Sequence, residues 1–119
     1  MGFKKWFVSI LGPLFLAGCQ SDPMTLPSSY TLLDVRTPEE YAAGHLQGAI
    51  LMPYTSLREK IGTTLSDKQA PIFVYCHSGR RSSIACQTLT ELGYTKVVNL
   101  GGLGAAEQKT RLPVVSQPR

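Results

Sequence analysis

The chain has 119 residues and carries twelve Lys and Arg against eight Asp and Glu, a formal net charge of +4. Lys4 and Lys5 lie in an N-terminal leader, so from residue 19 onward ten basic residues face eight acidic ones, a net charge of only +2. This balance, with no basic stripe between aromatic residues, argues against nucleic-acid binding, and about a hundred residues suffice for one small core.

Residues 1–18 have the layout of a secretory leader. Lys4 and Lys5 precede an apolar run of about twelve residues, and small residues follow it. A membrane-spanning helix needs about 20 apolar residues, so this run is too short to span a bilayer. Residues 16–19 also resemble the lipobox of bacterial lipoproteins. That resemblance implies a lipid on Cys19, cleavage just before it, and a membrane-anchored protein of the cell envelope that faces the periplasm.

Gln20, rather than Asp, follows Cys19. In enteric-type bacteria the lipoprotein resemblance then implies sorting to the outer membrane. Ordinary leader cleavage, which would release a soluble domain, remains the alternative. Residues 19–29 are rich in Ser and Pro, and they predict a tether that lifts a domain of residues 30–112 off the membrane.

Strands and helices alternate along that domain. Thr37 followed by Pro38 predicts a helix start, and Gly44 predicts its end after Ala43. The predicted strands are residues 30–36, 49–52, 71–75 and 97–100. The other predicted helices are residues 55–61, residues 81–92 and a short one opened by Gly101 and Gly102. Residues 113–119 are predicted to be a loose tail.

This alternation predicts an α/β fold with a mainly parallel central sheet and helices on both faces. Ligands of such sheets bind beyond the carboxyl ends of the strands. Asp34 and Arg36 end the first predicted strand, and we expect structural roles for both. Asp34 would accept loop N–H groups, and Arg36 would pair with a carboxylate such as Glu39 or Glu40. His45 is predicted to fix a turn by hydrogen bonding.

The strand of residues 71–75 delivers the chain to Cys76. Four residues separate Cys76 from Arg81, and one of them, Gly79, can take the positive φ of a tight cradle. Successive N–H groups and the start of the next helix can then converge on the sulfur. Such surroundings favour the thiolate, and Arg80 and Arg81 supply charge that suits an anionic substrate. A buried structural cysteine is the alternative.

The remaining cysteines and histidines predict neither a disulfide nor a metal. With Cys19 assigned to lipid, only Cys76 and Cys86 could pair, and their separation along a helix exceeds the about 7 Å between Cα atoms that a disulfide allows. Cys86 is predicted to be a half-covered filler at the edge of a buried helix face. His45 and His77 lie far apart in the chain and no Cys-x-x-Cys pattern occurs, so we expect no metal and no cofactor.

Several short stretches together resemble a single-domain rhodanese. They are, in order, residues 33–41, 44–49, 76–81, 92–94 and 101–103. The resemblance spans about residues 30–104, and it implies the rhodanese fold. The loop pattern Cys76-x-x-Gly79-Arg80-x is especially similar to small periplasmic thiosulfate sulfurtransferases of the phage-shock type. Where many rhodaneses carry Trp after the double Gly, this chain has Ala-Ala-Glu at residues 105–107.

The resemblance implies thiosulfate as sulfur donor and cyanide or a thiol as acceptor. The Cys76 thiolate would take the outer sulfur, release sulfite and hold a persulfide. The N–H groups of residues 77–81 would stabilise the negative charge. Arg80 is the first choice for the sulfite end and Arg81 the second, with an outward salt bridge at the helix start as the alternative for Arg81.

The predicted substrate-binding residues are His77, Ser78, Gly79, Arg80 and Arg81. We expect His77 to face solvent and to contribute its backbone, with a proton-donor role toward Cys76 as the alternative. Ser78 and Ser82 offer hydroxyl groups to the cradle, and Ser82 could instead be a simple helix cap.

Two other classes of function compete with this interpretation. Cysteine phosphatases and arsenate reductases of related fold place one residue more between nucleophile and arginine, whereas here position 82 is Ser. The shorter loop favours a sulfane sulfur over a tetrahedral oxyanion. A persulfide carrier or sulfur-binding module with little turnover stays open, because the same persulfide serves a catalyst and a carrier. The sequence leaves the oligomeric state open.

Overall fold

The computed structural model describes residues 24–117 of the chain. The strands are β1 Thr31–Asp34, β2 His45–Leu46, β3 Ile50–Leu51, β4 Ile72–Cys76, β5 Val97–Gly102 and β6 Val114–Val115. The helices are α1 Pro38–Ala43, α2 Leu57–Thr64, α3 Arg80–Glu91 and α4 Leu103–Thr110. The predicted leader and the predicted lipid site at Cys19 lie outside the described residues. Among residues 24–117, no helix has both the length and the apolar character to cross a membrane.

Four strands form a parallel sheet in the order β3-β1-β4-β5. Parallel neighbours need crossover connections, and helices that make these connections cover the faces of the sheet. Strand β4 lies between β1 and β5, and all five of its residues are buried. The predicted α/β fold, with a mainly parallel sheet and helices on both faces, is confirmed.

Successive side chains of the central strands point to opposite faces of the sheet and build two cores. The core toward α2 and α3 contains Leu33, Val35, Met52, Leu57, Ile61, Ile72, Val74, Cys76, Ala85, Leu89 and Tyr94. The core toward α1 and α4 contains Leu32, Leu46, Ala49, Phe73, Tyr75, Leu100 and Ala106. The period of two along β4 therefore places Cys76 on the same face as Ile72 and Val74, toward α3.

Helix α1 begins and ends where the sequence predicts. Thr37 and Glu40 form a capping box, in which the Thr37 hydroxyl accepts the Glu40 N–H and the Glu40 carboxylate accepts the Thr37 N–H. At the other end, the Gly44 N–H bonds to the carbonyls of Glu40 and Tyr41. The N-cap at Thr37 and the stop at Gly44 are both confirmed.

The chain on either side of the predicted domain packs more closely than expected. Val114–Val115 pairs antiparallel with His45–Leu46 in a small second sheet, so the prediction of a loose tail is wrong for these residues. Apolar residues at both positions favour this strand, which the sequence interpretation passed over. The Met24 N–H bonds to the Lys109 carbonyl at 2.9 Å, and Met24 and Leu26 pack on the core toward α1 and α4. Met24 and Leu26, which lie in the predicted tether of residues 19–29, are therefore packed against the domain.

A buried polar group, here called the Asp34 network, joins the ends of β1 and β4. Asp34 accepts two bonds from the Arg36 guanidinium to one carboxylate oxygen, at 3.1 and 2.6 Å, and a third from Tyr75 Oη to the same oxygen at 2.8 Å. Tyr75 Oη accepts the Leu46 N–H, and Arg36 also donates to the Gly44 carbonyl. Among residues 24–117, no buried side-chain nitrogen or oxygen lacks a partner.

The Asp34 network confirms one prediction and corrects another. Asp34 accepts the backbone N–H of Arg36 at 3.0 Å, which is the predicted structural role for the carboxylate. Arg36, however, pairs with Asp34 rather than with Glu39 or Glu40. The Arg36 and Asp34 side chains are 4% and 0% exposed. A buried charge needs a buried partner, so Arg36 pairs with Asp34, two residues away, rather than with a carboxylate on the solvated first turn of α1.

Candidate active site

Cys76 is the last residue of the central strand, where a ligand of a parallel sheet is expected. Its side chain is 1% exposed, and α3 begins only four residues later at Arg80. The connection between them, with the first turn of the helix, is called the Cys76 loop (residues 76–81). The structure thus brings the predicted nucleophile and the predicted cradle together at one strand end.

The sulfur of Cys76 points into the loop. The Gly79 N–H donates to Cys76 Sγ over 2.9 Å, and Gly79 takes a φ of +101°. Residues with a Cβ rarely adopt this left-handed conformation, so glycine is required for the amide to face the sulfur. The alternative of a merely structural cysteine among aliphatic side chains does not fit a sulfur that accepts a backbone hydrogen bond.

The pKa of the Cys76 thiol lies below its ordinary value. Burial works in the opposite direction, but it is outweighed by hydrogen bonding with the Ser82 side chain and by hydrogen bonds from the backbone N–H groups of Ser82, Gly79 and Ser78. Such bonds favour the thiolate over the thiol because they are stronger to the charged form. The predicted cradle therefore includes the amides of Ser78 and Gly79, and it extends to Ser82.

The backbone of Gly102 supports the loop from behind. A Cβ at Gly102 would lie 2.3 Å from the His77 carbonyl oxygen and 3.3 Å from Ser78 Cα. Backbone atoms cannot move aside as a flexible side chain can, so the close approach of the two segments requires glycine here. Gly101 and Gly102 were predicted as a helix start and as part of the family resemblance, but this close approach behind the loop was missed.

Ser82 links the sulfur to β5. Its hydroxyl oxygen lies 3.5 Å from Cys76 Sγ and 2.8 Å from Asn99 Oδ1, and Asn99 Oδ1 also accepts the Gly101 N–H at 2.9 Å. The sequence predicted that Ser82 either adds a hydroxyl to the cradle or caps the helix. Ser82 is fully buried and contacts both the Cys76 sulfur and Asn99, a link to β5 that neither alternative included. Asn99 was not predicted, although an Asn between apolar strand residues is uncommon enough to have drawn attention.

The two arginines of the loop have different surroundings. Arg81 makes a bidentate ion pair with Glu40, from Nη1 to Oε1 at 2.8 Å and from Nη2 to Oε2 at 3.0 Å. Arg80 is exposed and has no ion-pair partner among residues 24–117. The salt-bridge alternative for Arg81 is therefore the one that the structure contains. His77 and Ser78 are exposed on the outer side of the loop, as predicted for His77.

Comparison with known proteins agrees with this geometry. The model of the rhodanese-like domain family matches residues 20–108. The chain belongs to the rhodanese-like domain family. It is 48% identical over 71 residues to the thiosulfate sulfurtransferase PspE of Escherichia coli, across 60% of this chain and 68% of that protein. It is 35% identical to a sulfurtransferase of Allochromatium vinosum, across 71% of this chain and 78% of that one.

A solved structure described as a rhodanese with anions from E. coli superposes on this rhodanese-like domain with a TM-score of 0.67. The two are 41% identical, and the match covers 74% of this chain and 99% of that one. The rhodanese fold expected from the motifs is thereby confirmed.

Cys86 lies on α3, partly buried against the core that contains Cys76. Burial, with a smaller contribution from the nearby Cys76 charge, raises the pKa of Cys86 to about 11. Both thiols are free, and Cys86 stays protonated near neutral pH. The rhodanese-like domain thus holds two thiols in contrasting surroundings, of which Cys76 is the activated one. The predicted position of Cys86, as a filler at the edge of the helix face, agrees with the structure.

His45 contributes to the framework of the rhodanese-like domain and not to the loop. Its Nδ1 lies 2.7 Å from the Tyr41 carbonyl oxygen, and its ring stacks on the Tyr41 ring at 3.7 Å between centroids. The predicted turn-fixing role is confirmed. In the described part of the chain, no group of three or more His, Cys, Asp or Glu side chains is arranged to hold a metal ion.

Proposed function

We propose that this rhodanese-like domain is a thiosulfate sulfurtransferase that carries the sulfane sulfur on Cys76. The observation that supports it most is the bond from the Gly79 N–H to Cys76 Sγ, within a loop that lowers the pKa of the thiol. The name of the similar E. coli protein, thiosulfate sulfurtransferase, supports the choice of donor.

In the first step, the Cys76 thiolate attacks the outer sulfur of thiosulfate. A bond forms between Sγ and that sulfur, the sulfur–sulfur bond of thiosulfate breaks, and its electron pair leaves with sulfite. The loop then holds a persulfide anion in place of the thiolate, so total charge is conserved. In the second step, cyanide or a thiolate attacks the outer sulfur and takes it, which restores the Cys76 thiolate.

The loop stabilises negative charge in both steps. The amides of Ser78, Gly79 and Ser82 are fixed by the turn and by α3 before any ligand arrives, so they cost little reorganisation during the reaction. The exposed Arg80 is the side chain assigned to the sulfite end of the donor, and His77 contributes its backbone. No metal or cofactor takes part in this scheme.

The test is turnover of thiosulfate and cyanide to sulfite and thiocyanate by the full chain. We expect activity in the wild type and none in Cys76→Ala. An intact mass after thiosulfate alone should increase by about 32 Da, one sulfur, in the wild type and not in Cys76→Ser. Release of phosphate from an aryl phosphate, with no sulfur transfer, would instead assign the chain to the phosphatase class.

A persulfide carrier with little turnover is the second candidate, favoured by the 1% exposure of Cys76. A sulfur held so far from solvent suits storage until a specific partner arrives. Single-turnover and steady-state rates separate the two functions. A carrier forms the persulfide quickly but releases thiocyanate slowly, whereas the enzyme proposed here does both at similar rates.

We also propose that Cys19 carries the lipid that anchors the domain to the periplasmic face of the outer membrane. Support comes from the sequence of residues 16–19 and from Gln20. The full chain expressed in an enteric bacterium should fractionate with the outer membrane, and Cys19→Ala should not carry lipid. Gln20→Asp should move it to the inner membrane. An intact mass without lipid on wild-type Cys19 would refute the anchor.

A further inference from the structure

Arg81, one of the two loop arginines, forms an ion pair with Glu40, which lies on another helix. Glu40 lies in the first turn of α1, and it binds Arg81 at the start of α3 through both carboxylate oxygens. A bidentate pair fixes orientation as well as distance, and it occupies the Nη1–Nη2 edge of the guanidinium, which would otherwise be available to an anionic ligand.

Glu40 is negatively charged at neutral pH. Hydrogen bonding from Arg81, with further bonds from the Thr37 N–H and hydroxyl, lowers the pKa of Glu40 to about 2 despite partial burial. Arg81 in turn lies close enough to the sulfur for the Cys76 thiolate to contribute, after Glu40, to the raised pKa of Arg81. The charge that Glu40 neutralises is therefore a charge at the active site.

We propose that Glu40 is a specificity-determining residue of the loop, which neutralises Arg81 and so leaves Arg80 as the free cation for an anionic sulfur donor. This inference rests on the proposed sulfur transfer. A second free arginine would strengthen the attraction for dianions such as thiosulfate, sulfite or sulfate, and release of the sulfite product would slow accordingly. Glu40 thus limits the preference for doubly charged ligands over singly charged or neutral ones.

Glu39 offers a matched control for this proposal. It precedes Glu40 in the same helical turn, is exposed, and makes no ion pair among residues 24–117. Glu39→Gln removes the same charge within one residue of the site and leaves Arg81 paired. Thr37→Val provides the second control, because it removes the capping hydroxyl of α1 and its bond to Glu40 Oε1 but leaves the Glu40 carboxylate and its two bonds to Arg81.

The first experiment compares alkylation of Cys76 by iodoacetate, an anion, and by iodoacetamide, which is neutral, with modification located by peptide mass spectrometry. The iodoacetate rate divided by the iodoacetamide rate cancels differences in thiolate fraction and access. This ratio reports the electrostatic potential at the sulfur. We expect Glu40→Gln to raise the ratio about fivefold at low ionic strength and less than about twofold in 1 M salt. Glu39→Gln and Thr37→Val should stay within about twofold of wild type.

Equal ratios in Glu40→Gln and Glu39→Gln would overturn the proposal. An equal rise in Thr37→Val would also overturn it, since the effect would then come from a loosened α1. Alkylation needs no turnover, so a protein that alkylates as expected but transfers no sulfur refutes the proposed function and leaves the role of Glu40 intact.

The second experiment compares two sulfur donors, the dianion thiosulfate and the monoanion methanethiosulfonate. Because the electrostatic energy scales with ligand charge, Glu40→Gln should raise kcat/KM more for thiosulfate than for methanethiosulfonate. An equal change for both donors would show that Glu40 acts on geometry rather than on charge, and would overturn the proposal.

Discussion

The Asp34 network and the Cys76 loop lie side by side at one edge of the sheet, where β1 and β4 end together. In the Asp34 network, every buried polar side-chain atom has a hydrogen-bond partner within the protein, and the carboxylate is fully buried. In the Cys76 loop, backbone donors of three residues surround a single sulfur.

This difference shows how neighbouring strand ends can serve opposite purposes. A closed set of donors and acceptors rigidifies the edge of the sheet, whereas donors in excess over acceptors attract an anion. The first arrangement holds the second in place, because Tyr75 belongs to the Asp34 network and directly precedes Cys76. Substitutions in the network should therefore mainly lower the free energy of unfolding, and substitutions in the loop should mainly lower kcat/KM for sulfur transfer.

The largest effect is expected for Asp34→Ala, which leaves the buried Arg36 without its partner. We expect a loss of about 3–5 kcal/mol in the free energy of unfolding, the usual result when one member of a buried pair is removed. Denaturant unfolding measures it. The double variant Asp34→Ala/Arg36→Met should recover part of the loss. A single variant as stable as wild type would contradict the distinction drawn between network and loop.

Gly102→Ala tests the support of the loop from behind. The added Cβ would clash with the His77 carbonyl oxygen, so the loop must move away from the sulfur. We expect kcat/KM for sulfur transfer to fall about a hundredfold, or about 2.7 kcal/mol of transition-state stabilisation. In the control, Gly104→Ala, the added Cβ meets no atom within 4 Å. That control should keep full activity, and equal losses in both variants would exclude the packing explanation.

Ser82→Ala removes the hydroxyl that helps to lower the pKa of Cys76. The pKa of the thiol should therefore rise, and the thiolate fraction at neutral pH should fall. We expect about a tenfold loss of kcat/KM near pH 7 and recovery as the pH rises above the new pKa. Ser83→Ala, in which the lost hydroxyl contacts the Gly79 carbonyl, is the control. A pH profile identical to that of wild type would show that the hydroxyl does not act on the sulfur.

The smallest effect is expected for Arg58→Ala, which breaks an ion pair with Glu91 far from the loop. Both side chains are about half exposed, at 52% and 51%, so solvent screens the pair. We expect a change of about 0.5 kcal/mol or less in the free energy of unfolding and no change in sulfur transfer. A large loss here would mean that surface charge, rather than the buried network, dominates stability.

Much of the fold and the placement of Cys76 in its loop could be predicted because the determining interactions are local. The capping box of α1 is set by residues three apart, and the turn after Cys76 needs one glycine at a fixed distance. Short apolar runs in the sequence likewise indicate the alternation of strands and helices. Interactions of this kind depend on the chain within a few residues, which sequence patterns record well.

The rest of the site depends on contacts between distant residues. Glu40 and Arg81 are 41 positions apart, and Ser82 and Asn99 are 17 apart. Each of these side chains has several chemically equivalent partners available, and only the packing of the sheet and helices selects one. The tail strand at Val114–Val115 and the close approach behind His77 were missed for the same reason.

The hydrogen bond from the Met24 N–H to the Lys109 carbonyl fixes the position of Met24 on the domain. Four residues separate Met24 from Cys19, so the five steps between the two Cα atoms reach about 17 Å when the chain is fully extended. If Cys19 carries a lipid as proposed, Met24 stays within this distance of the bilayer, and the carboxyl end of α4 would be the part of the domain nearest to it. Sulfur acceptors of the lipidated protein would therefore meet the domain close to the membrane surface.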